Sequence, residues 1–318
     1  SAGAGWGSRK GGRLMNDLIS IISSAIASSA GIMFAAVGEV INERAGVLNL
    51  GLEGIMLMGA STAYVTLCVT GSLFYSSLVA LGVGAALGLL YAFLTITLRA
   101  NQTVCGLAVV IFGGGLAALL GEDYAGVGTS LYFTRTAIPG LSKIPIIGPI
   151  LFNHTLPIYF LFALVVLVTV YLYKTRPGLK LQALGENPGA LDAAGSKVFL
   201  SRYIYLIIGC AIVSYGGAYI TTAYTPSWYE GITSGQGWIA AALVIFAAWN
   251  PAIAALGALL FGGVSVLGLR LQAMGVNIST FFISMLPYVC TALVLIFTGR
   301  KRSAAPASLA VNYDREAR

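Results

Sequence analysis

Long apolar runs broken by short polar interruptions dominate the chain, near 17–38, 47–70, 73–98, 102–121, 156–173, 203–224, 237–249, 252–270 and 280–298. Crossing the hydrocarbon of a bilayer takes about 20 predominantly apolar residues in a helix. The pattern therefore predicts an all-α, polytopic helical membrane protein with about eight to nine membrane segments, some broken or re-entrant. The 237–249 run is short for a full crossing. It is expected either to extend upstream through 231–236 or to form a broken half-helix. Asn250-Pro251 marks the turn that follows, because proline disfavours helix at the residue before it.

Two stretches break the pattern. Residues 122–155 carry Gly126, Gly128, Pro139, Pro145, Gly148 and Pro149 and read as an ordered loop or short irregular elements. Residues 174–202 are charged and divide at Asn187-Pro188-Gly189. Basic residues cluster at Lys174, Arg176 and Lys180, at Lys197 and Arg202, and at Arg300, Lys301 and Arg302. Cytoplasmic loops carry such an excess of Lys and Arg. Counting spans backwards from the basic C-terminus puts Asn250-Pro251, 174–202 and Arg99 inside and 122–155 outside. The same count places the chain start outside, although Arg9, Lys10 and Arg13 lie there. Residues 1–15 lack periodicity and are expected to be a disordered tail, or a remnant ahead of a native start at Met15. The expected organisation is then a transmembrane domain over 16–299, with 122–155 as external loop and 174–202 as cytoplasmic loop. Residues 300–318 form a mobile cytoplasmic tail.

Composition narrows the class. Of 318 residues, 58% are hydrophobic and 9% charged, against about 25% charged in soluble domains. Mean hydropathy is +0.87. The net charge of +7 sits in short loop clusters rather than on one solvated face, which argues against nucleic acid. Cys68, Cys105, Cys210 and Cys290 lie in apolar runs without a CxxC pair, so neither a disulfide framework nor a metal site is expected. Gly82, Gly84 and Gly88, Gly113 to Gly115, Gly216-Gly217, and Gly257 with Gly262-Gly263 mark expected helix contacts, since helices in lipid associate through close backbone approach.

Charge inside the apolar pattern is informative. GEVINERAGVLNLGLEGIMLMG, residues 38–59, sets Glu39, Asn42, Glu43, Arg44, Asn49 and Glu53 between and within two runs. A charge at the membrane centre costs about 2.5–3.5 kcal/mol on insertion scales, so such residues face the bundle interior or an interface. Glu43 and Arg44 read equally as interfacial loop residues. Asn49 and Glu53 would line a polar passage or hold a broken helix in shape.

This run resembles a block near the N-terminus of permeases in the branched-chain amino acid, ribose and nucleoside group of ABC importers. ERAGVLNLGLEG looks most like the nucleoside and simple-sugar branch. A second segment, LGENPGALDAAGSKV at 184–198, is similar to the family's GENPxAAxxAGI pattern, departing at Leu191-Asp192 and Ser196. Asn187-Pro188-Gly189 reads as a helix start and Gly195 as its stop. The resemblance covers nearly the whole chain, about 15–299. It implies a non-catalytic subunit in the bacterial cytoplasmic (inner) membrane, with Gly185, Glu186, Asn187, Pro188, Ala190, Ala193 and Gly195 seated on an ATP-binding subunit. It also implies a related but different second permease chain and an external substrate-binding lipoprotein. ATP and magnesium would be used by the partner, with no cofactor or metal held here.

No GxxxxGK[ST], HExxH or GxSxG occurs, so no catalytic residues compete. An aromatic base and a hydroxyl-rich ribose would suit Phe34, Asn42, Asn49, Glu53, Gln236 and Trp249 as pathway residues, and a sugar path could use the same types. The alternative is an ion-coupled secondary transporter of a small polar solute, using Glu39 and Glu53 as coupling carboxylates. A pore would fit the glycine-rich spans, yet no selectivity segment is evident. Residues 122–155 and 225–236 are candidate docking surfaces for the external lipoprotein. Trp228, Tyr229 and Trp238 would equally serve as interfacial anchors.

Overall fold

A computed structural model describes residues 4–274 and 305–315, with isolated positions 279, 282, 285 and 289 between them. Helix α1 runs Ala4–Arg44, α2 Leu52–Thr70, α3 Leu73–Ala92 and α4 Gln102–Gly121. The short α5, Ile147–Leu151, precedes α6, Leu156–Lys174, α7, Arg176–Glu186, and α8, Pro188–Ala193. Then come α9, Val198–Tyr219, α10, Gln236–Phe246, and α11, Pro251–Ala273. Among the described residues, seven helices are long and apolar enough to cross a membrane. The difference from the expected eight to nine has two sources. The 237–249 run yields only the 11 residues of α10, and the 280–298 run lies outside the described residues except for the isolated positions 282, 285 and 289.

Local chemistry sets the helix ends. The Ser72 and Asn101 side chains accept the Tyr75 and Val104 amides at the starts of α3 and α4. Asn250 caps α11 twice, and Pro251 takes the first helical position, where its missing N–H costs nothing. Wide turns at Phe93–Thr97 and Ile220–Tyr224 end the α3 and α9 rods. The first helix already begins at Ala4, whereas residues 1–15 were expected as a tail. A nucleated helix extends at one hydrogen bond per residue fixed, even through sequence without periodicity.

Helix α9 packs against α1, α2 and α3 at the centre of the bundle. Gly84 and Gly88, one turn apart on α3, let that helix close on Cys210 and its neighbours in α9, while Gly82 faces open space. Gly113 of α4 meets Gly54 of α2 backbone to backbone. Helical periodicity thus selects which glycines of each cluster become contacts.

The two ends of the bundle differ. At one end, β1 (Arg135–Ala137) pairs antiparallel with β2 (Asn153–Thr155), Arg135 opposite Thr155. This hairpin, together with 225–235, forms the hairpin face. Trp228, an expected interfacial anchor, is instead buried against Gly121, whereas Tyr229 and Trp238 are exposed. The opposite, basic face gathers the end of α1, Arg99, α7, α8 and Asn250. Residues 305–315, expected to be mobile, are seated across it: Arg99 pairs with Asp314 at 2.6 Å and Arg315 with Asp192 at 3.0 Å.

Candidate functional site: a buried polar core beneath an exposed helical step

Residues 45–51 leave helix between α1 and α2 while still buried, so their backbone groups need partners. Unpaired polar groups at membrane depth are tolerated only where protein or a cavity satisfies them. Side chains supply the partners here. Glu39, fully buried, accepts the Asn49 amide at 3.1 Å and the Asn42 side chain at 2.9 Å. Asn49 accepts the Gly51 amide at 2.9 Å, and its amide nitrogen lies 3.5 Å from the Cys210 sulfur. Gln102 accepts the Leu48 amide at 2.8 Å, and the Tyr91 hydroxyl lies 2.7 Å from the Leu48 carbonyl. Asn49 is thus committed to the turn, and Asn42 joins it through its side-chain nitrogen, its Oδ1 having no partner among the described residues.

The end of α1 also clamps the segment after α10. Ala248 and Trp249 both sit at positive φ, 49° and 58°, a region that a bulky side chain rarely occupies. Arg44 donates to the Trp249 carbonyl at 3.2 Å and the Ala248 carbonyl at 3.3 Å. The Trp249 indole N–H donates to Glu43. Glu43 and Arg44, two neighbours in sequence, therefore hold one strained turn from both sides.

Glu53 performs the equivalent task one level deeper. Chain 225–235 descends from the hairpin face without regular helix, and α10 completes the crossing to the basic face. Glu53 accepts the Thr233 hydroxyl at 2.5 Å, the Gly235 amide at 2.9 Å and the Gly237 amide at 2.7 Å. A carboxylate at a helix N-terminus meets both the free amides and the positive end of the helix dipole. Of the two roles expected for Glu53, passage lining and helix holding, the geometry exhibits the second. Gln236 stands beside it with a buried carbonyl oxygen that has no partner among the described residues. Phe34 lies elsewhere, 5.1 Å edge-to-face from Tyr215 and 6.1 Å from Phe160. The six pathway candidates thus occupy three separate places: the turn and clamp, the α10 start, and an aromatic cluster.

Above the buried core stands an exposed step. Asn187 opens α8 by accepting the Ala190 amide at 3.0 Å, and Gly195, at φ 83°, ends it. Glu186, Asn187, Ala190, Ala193 and Gly195 are exposed, Pro188 is half-buried and Gly185 is buried. A Cβ on Gly185 would collide with the Arg44 carbonyl, so the base of the step rests directly on the last residue of α1. The C-terminal strap fastens the same point. The Ser308 amide and hydroxyl donate to the Gly185 carbonyl at 2.8 and 2.6 Å, and buried Arg202 donates to the Ser308 hydroxyl at 3.2 Å. Farther along, the Ala307 amide donates to Glu186 and Tyr313 to Asp192. Arg202 was read in the sequence only as a loop charge and is instead buried, whereas Ser308 and Asp314 were not singled out. The only available signal was alternating charge in the tail. Among the described residues no three His, Cys, Asp or Glu side chains gather as a metal site requires.

A family profile described as the permease component of branched-chain amino acid transport systems matches residues 21–297. Relatives match nearly end to end. A protein of Haloferax volcanii named as a candidate glucose ABC transporter permease, TsgC13, is 33% identical over 93% of this chain and 98% of its own. The nucleoside ABC transporter permease NupC of Lactococcus lactis is 33% identical over 94% and 98%. The guanosine ABC transporter permease NupQ of Bacillus subtilis is 34% identical over 92% and 96%. No solved structure matches the chain.

Proposed function

The chain belongs to the family of branched-chain amino acid transport system permease components, and on that premise we propose that it is one membrane subunit of an ATP-driven importer for nucleosides or a related simple sugar. The named functions of its relatives support that substrate class. The basic face is the cytoplasmic one, in the inner membrane. A separate ATP-binding subunit, which uses ATP and magnesium, docks on α8. A related second permease chain completes the pathway, and an external lipoprotein delivers solute to the hairpin face.

Gly185 is the observation that carries the reading. The exposed step meets the Arg44 carbonyl at the end of α1 so closely that no side chain fits between them at Gly185, and a movement of the step toward α1 bears on that carbonyl. Arg44 and Glu43 in turn hold the Ala248–Trp249 turn, and with it the basic end of α10. A displacement of α8 by a closing partner therefore reaches a full span and a half-helix through two contacts. Rigid-body rocking of such units is how alternating access proceeds in many transporters. The ion-coupled alternative is disfavoured because both carboxylates already serve the fold: Glu53 accepts three hydrogen bonds that hold the start of α10, and Glu39 accepts two that hold the turn before α2.

Affinity purification from native membranes in mild detergent, followed by mass spectrometry, tests the assignment. An ATP-binding protein at near-stoichiometric amount supports it. A chain that emerges alone under several gentle conditions returns the ion-coupled reading to first place.

A further inference from the structure

The segment between β1 and β2 is apolar where a water-facing loop would be polar. Leu141, Ile144, Ile146, Ile147 and Leu151 all lie exposed along one short stretch that includes α5. Soluble proteins seldom leave so dense an apolar patch open, and such a patch marks a contact with protein or membrane. Ile146 also holds φ at 70°, a region that a β-branched residue rarely occupies. A strained turn that keeps an isoleucine outside the protein has no use in water.

Helix α1 gives the depth of this segment. Ser24 and Ala27 of α1 line one cavity together with Arg135, His154 and Thr155 of the hairpin. The His154 Nε2 lies 2.7 Å from the Ile150 carbonyl, so α5 sits at that same level. Arg44, the last residue of α1, is at the basic face, and Ser24 precedes it by 20 residues. At about 1.5 Å per residue that length of helix spans about 30 Å, the thickness of the hydrocarbon. The hairpin and α5 therefore lie where the headgroups of the far leaflet meet its acyl chains.

The surroundings favour lipid over protein as the cover. β2 leads from α5 straight into α6, where Leu156, Phe160 and Leu167 form an exposed apolar stripe along the span. The patch thus continues a surface that faces lipid. Charge agrees: no Asp or Glu occurs from Tyr124 to Gly185, and the exposed Arg135 and Lys143 suit lipid phosphates. A lipoprotein that docks and leaves needs an interface about as polar as ordinary protein surface. Residues 225–235, with Glu230 exposed, meet that need better than 141–151 do.

We propose that residues 141–151 are an interfacial element that lays its apolar side chains into the leaflet on the hairpin side and ties the hairpin to the membrane surface. The proposal rests on the chain's crossing of the membrane, not on the importer reading. It leaves 225–235 as the seat for a delivering partner.

The test puts the photoreactive residue p-benzoylphenylalanine in place of Ile147 in the full chain, irradiated in native membranes where every partner is present. The same probe at Leu156 and at Glu230 supplies the lipid-facing and water-facing controls. Mass spectrometry then reads what each position has captured. Phospholipid adducts at 147 should approach the yield at 156 and exceed that at 230 about tenfold, a ratio that burial of one isoleucine in lipid accounts for. Lipid captured at 156 but not at 147 overturns the proposal. So does an adduct at 147 to the lipoprotein, to a second permease chain or to any other protein. A smaller probe checks the same point: a nitroxide attached through Ile147→Cys, with the unsubstituted protein as blank, should be relaxed more by oxygen than by a water-soluble nickel chelate. The reverse order places 147 in water and overturns the proposal as well.

Discussion

Replacing Glu53 by alanine should unfasten α10 while leaving the rest of the bundle folded. The substitution strips the acceptor from the Thr233 hydroxyl and from the Gly235 and Gly237 amides. Two orphaned buried donors and one half-buried donor, at about 1–3 kcal/mol each, sum to roughly 6 kcal/mol. Removing the carboxylate also relieves a burial cost of about 2.5–3.5 kcal/mol. The difference leaves roughly 3 kcal/mol against the native start of α10, and at 1.4 kcal/mol per decade that is about a hundredfold in the local opening equilibrium. Hydrogen–deuterium exchange of the purified protein reads this directly. The amides of 235–239 should exchange about a hundredfold faster in Glu53→Ala, and those of α2 and α9 at nearly the wild-type rate. Glu53→Gln keeps one acceptor oxygen without the charge and should fall between the two. Uptake should fall more than assembly with the partner subunits. Unchanged exchange at 235–239 would refute the reasoning, because nothing else among the described residues accepts from Gly235 and Gly237.

Three further outcomes follow from the same geometry. Gly185→Val places methyl groups against the Arg44 carbonyl, so ATP hydrolysis should continue while uptake falls at least about tenfold, the effect of roughly 1.4 kcal/mol of misfit; normal coupling in a well-inserted variant counts against the role of the step. Deleting 305–318 removes the Ser308 and Val311 acceptors of buried Arg202, a loss of about 1–3 kcal/mol, and limited trypsin digestion should then cut faster at Lys180 and Lys197; an unchanged pattern means that the strap holds nothing. His154 titrates below its unfolded value, chiefly through burial and with help from Arg135, so its stabilising contribution is complete above about pH 6.5 and is lost as pH falls through the folded value. The fall in thermal midpoint between about pH 8 and pH 5 should shrink in His154→Gln, and an equal fall in both proteins would contradict the burial argument.

The spans were legible because hydropathy is a property of consecutive residues, and membrane crossing needs only that. Helix α8 was legible for a similar reason: Asn187, Pro188 and Gly195 set its two ends within a few residues. The roles of Glu39, Glu43 and Glu53 were half legible. Their cost in an apolar run announced that each had a partner, but apart from Asn42, three residues from Glu39, the partners lie 10 to 206 positions away in the chain. Residues 305–315 were illegible. Their seat is built from single hydrogen bonds and exposed ion pairs of about 0–1 kcal/mol, which leave no periodicity to read. Trp228 shows the same limit from the apolar side: its burial depends on the absence of a side chain at Gly121, more than a hundred residues earlier.

The central claim is that ATP hydrolysis on a partner, delivered through the 185–195 step, drives solute across this subunit. The most direct measurement is uptake of a labelled nucleoside and a labelled hexose by proteoliposomes. These would carry the purified complex and its binding lipoprotein, with ATP or a non-hydrolysable analogue enclosed. The account predicts accumulation against the gradient with ATP alone, insensitive to proton and sodium ionophores. Accumulation that persists with the analogue and collapses with an ionophore would contradict it and make Glu39 and Glu53 the first residues to revisit.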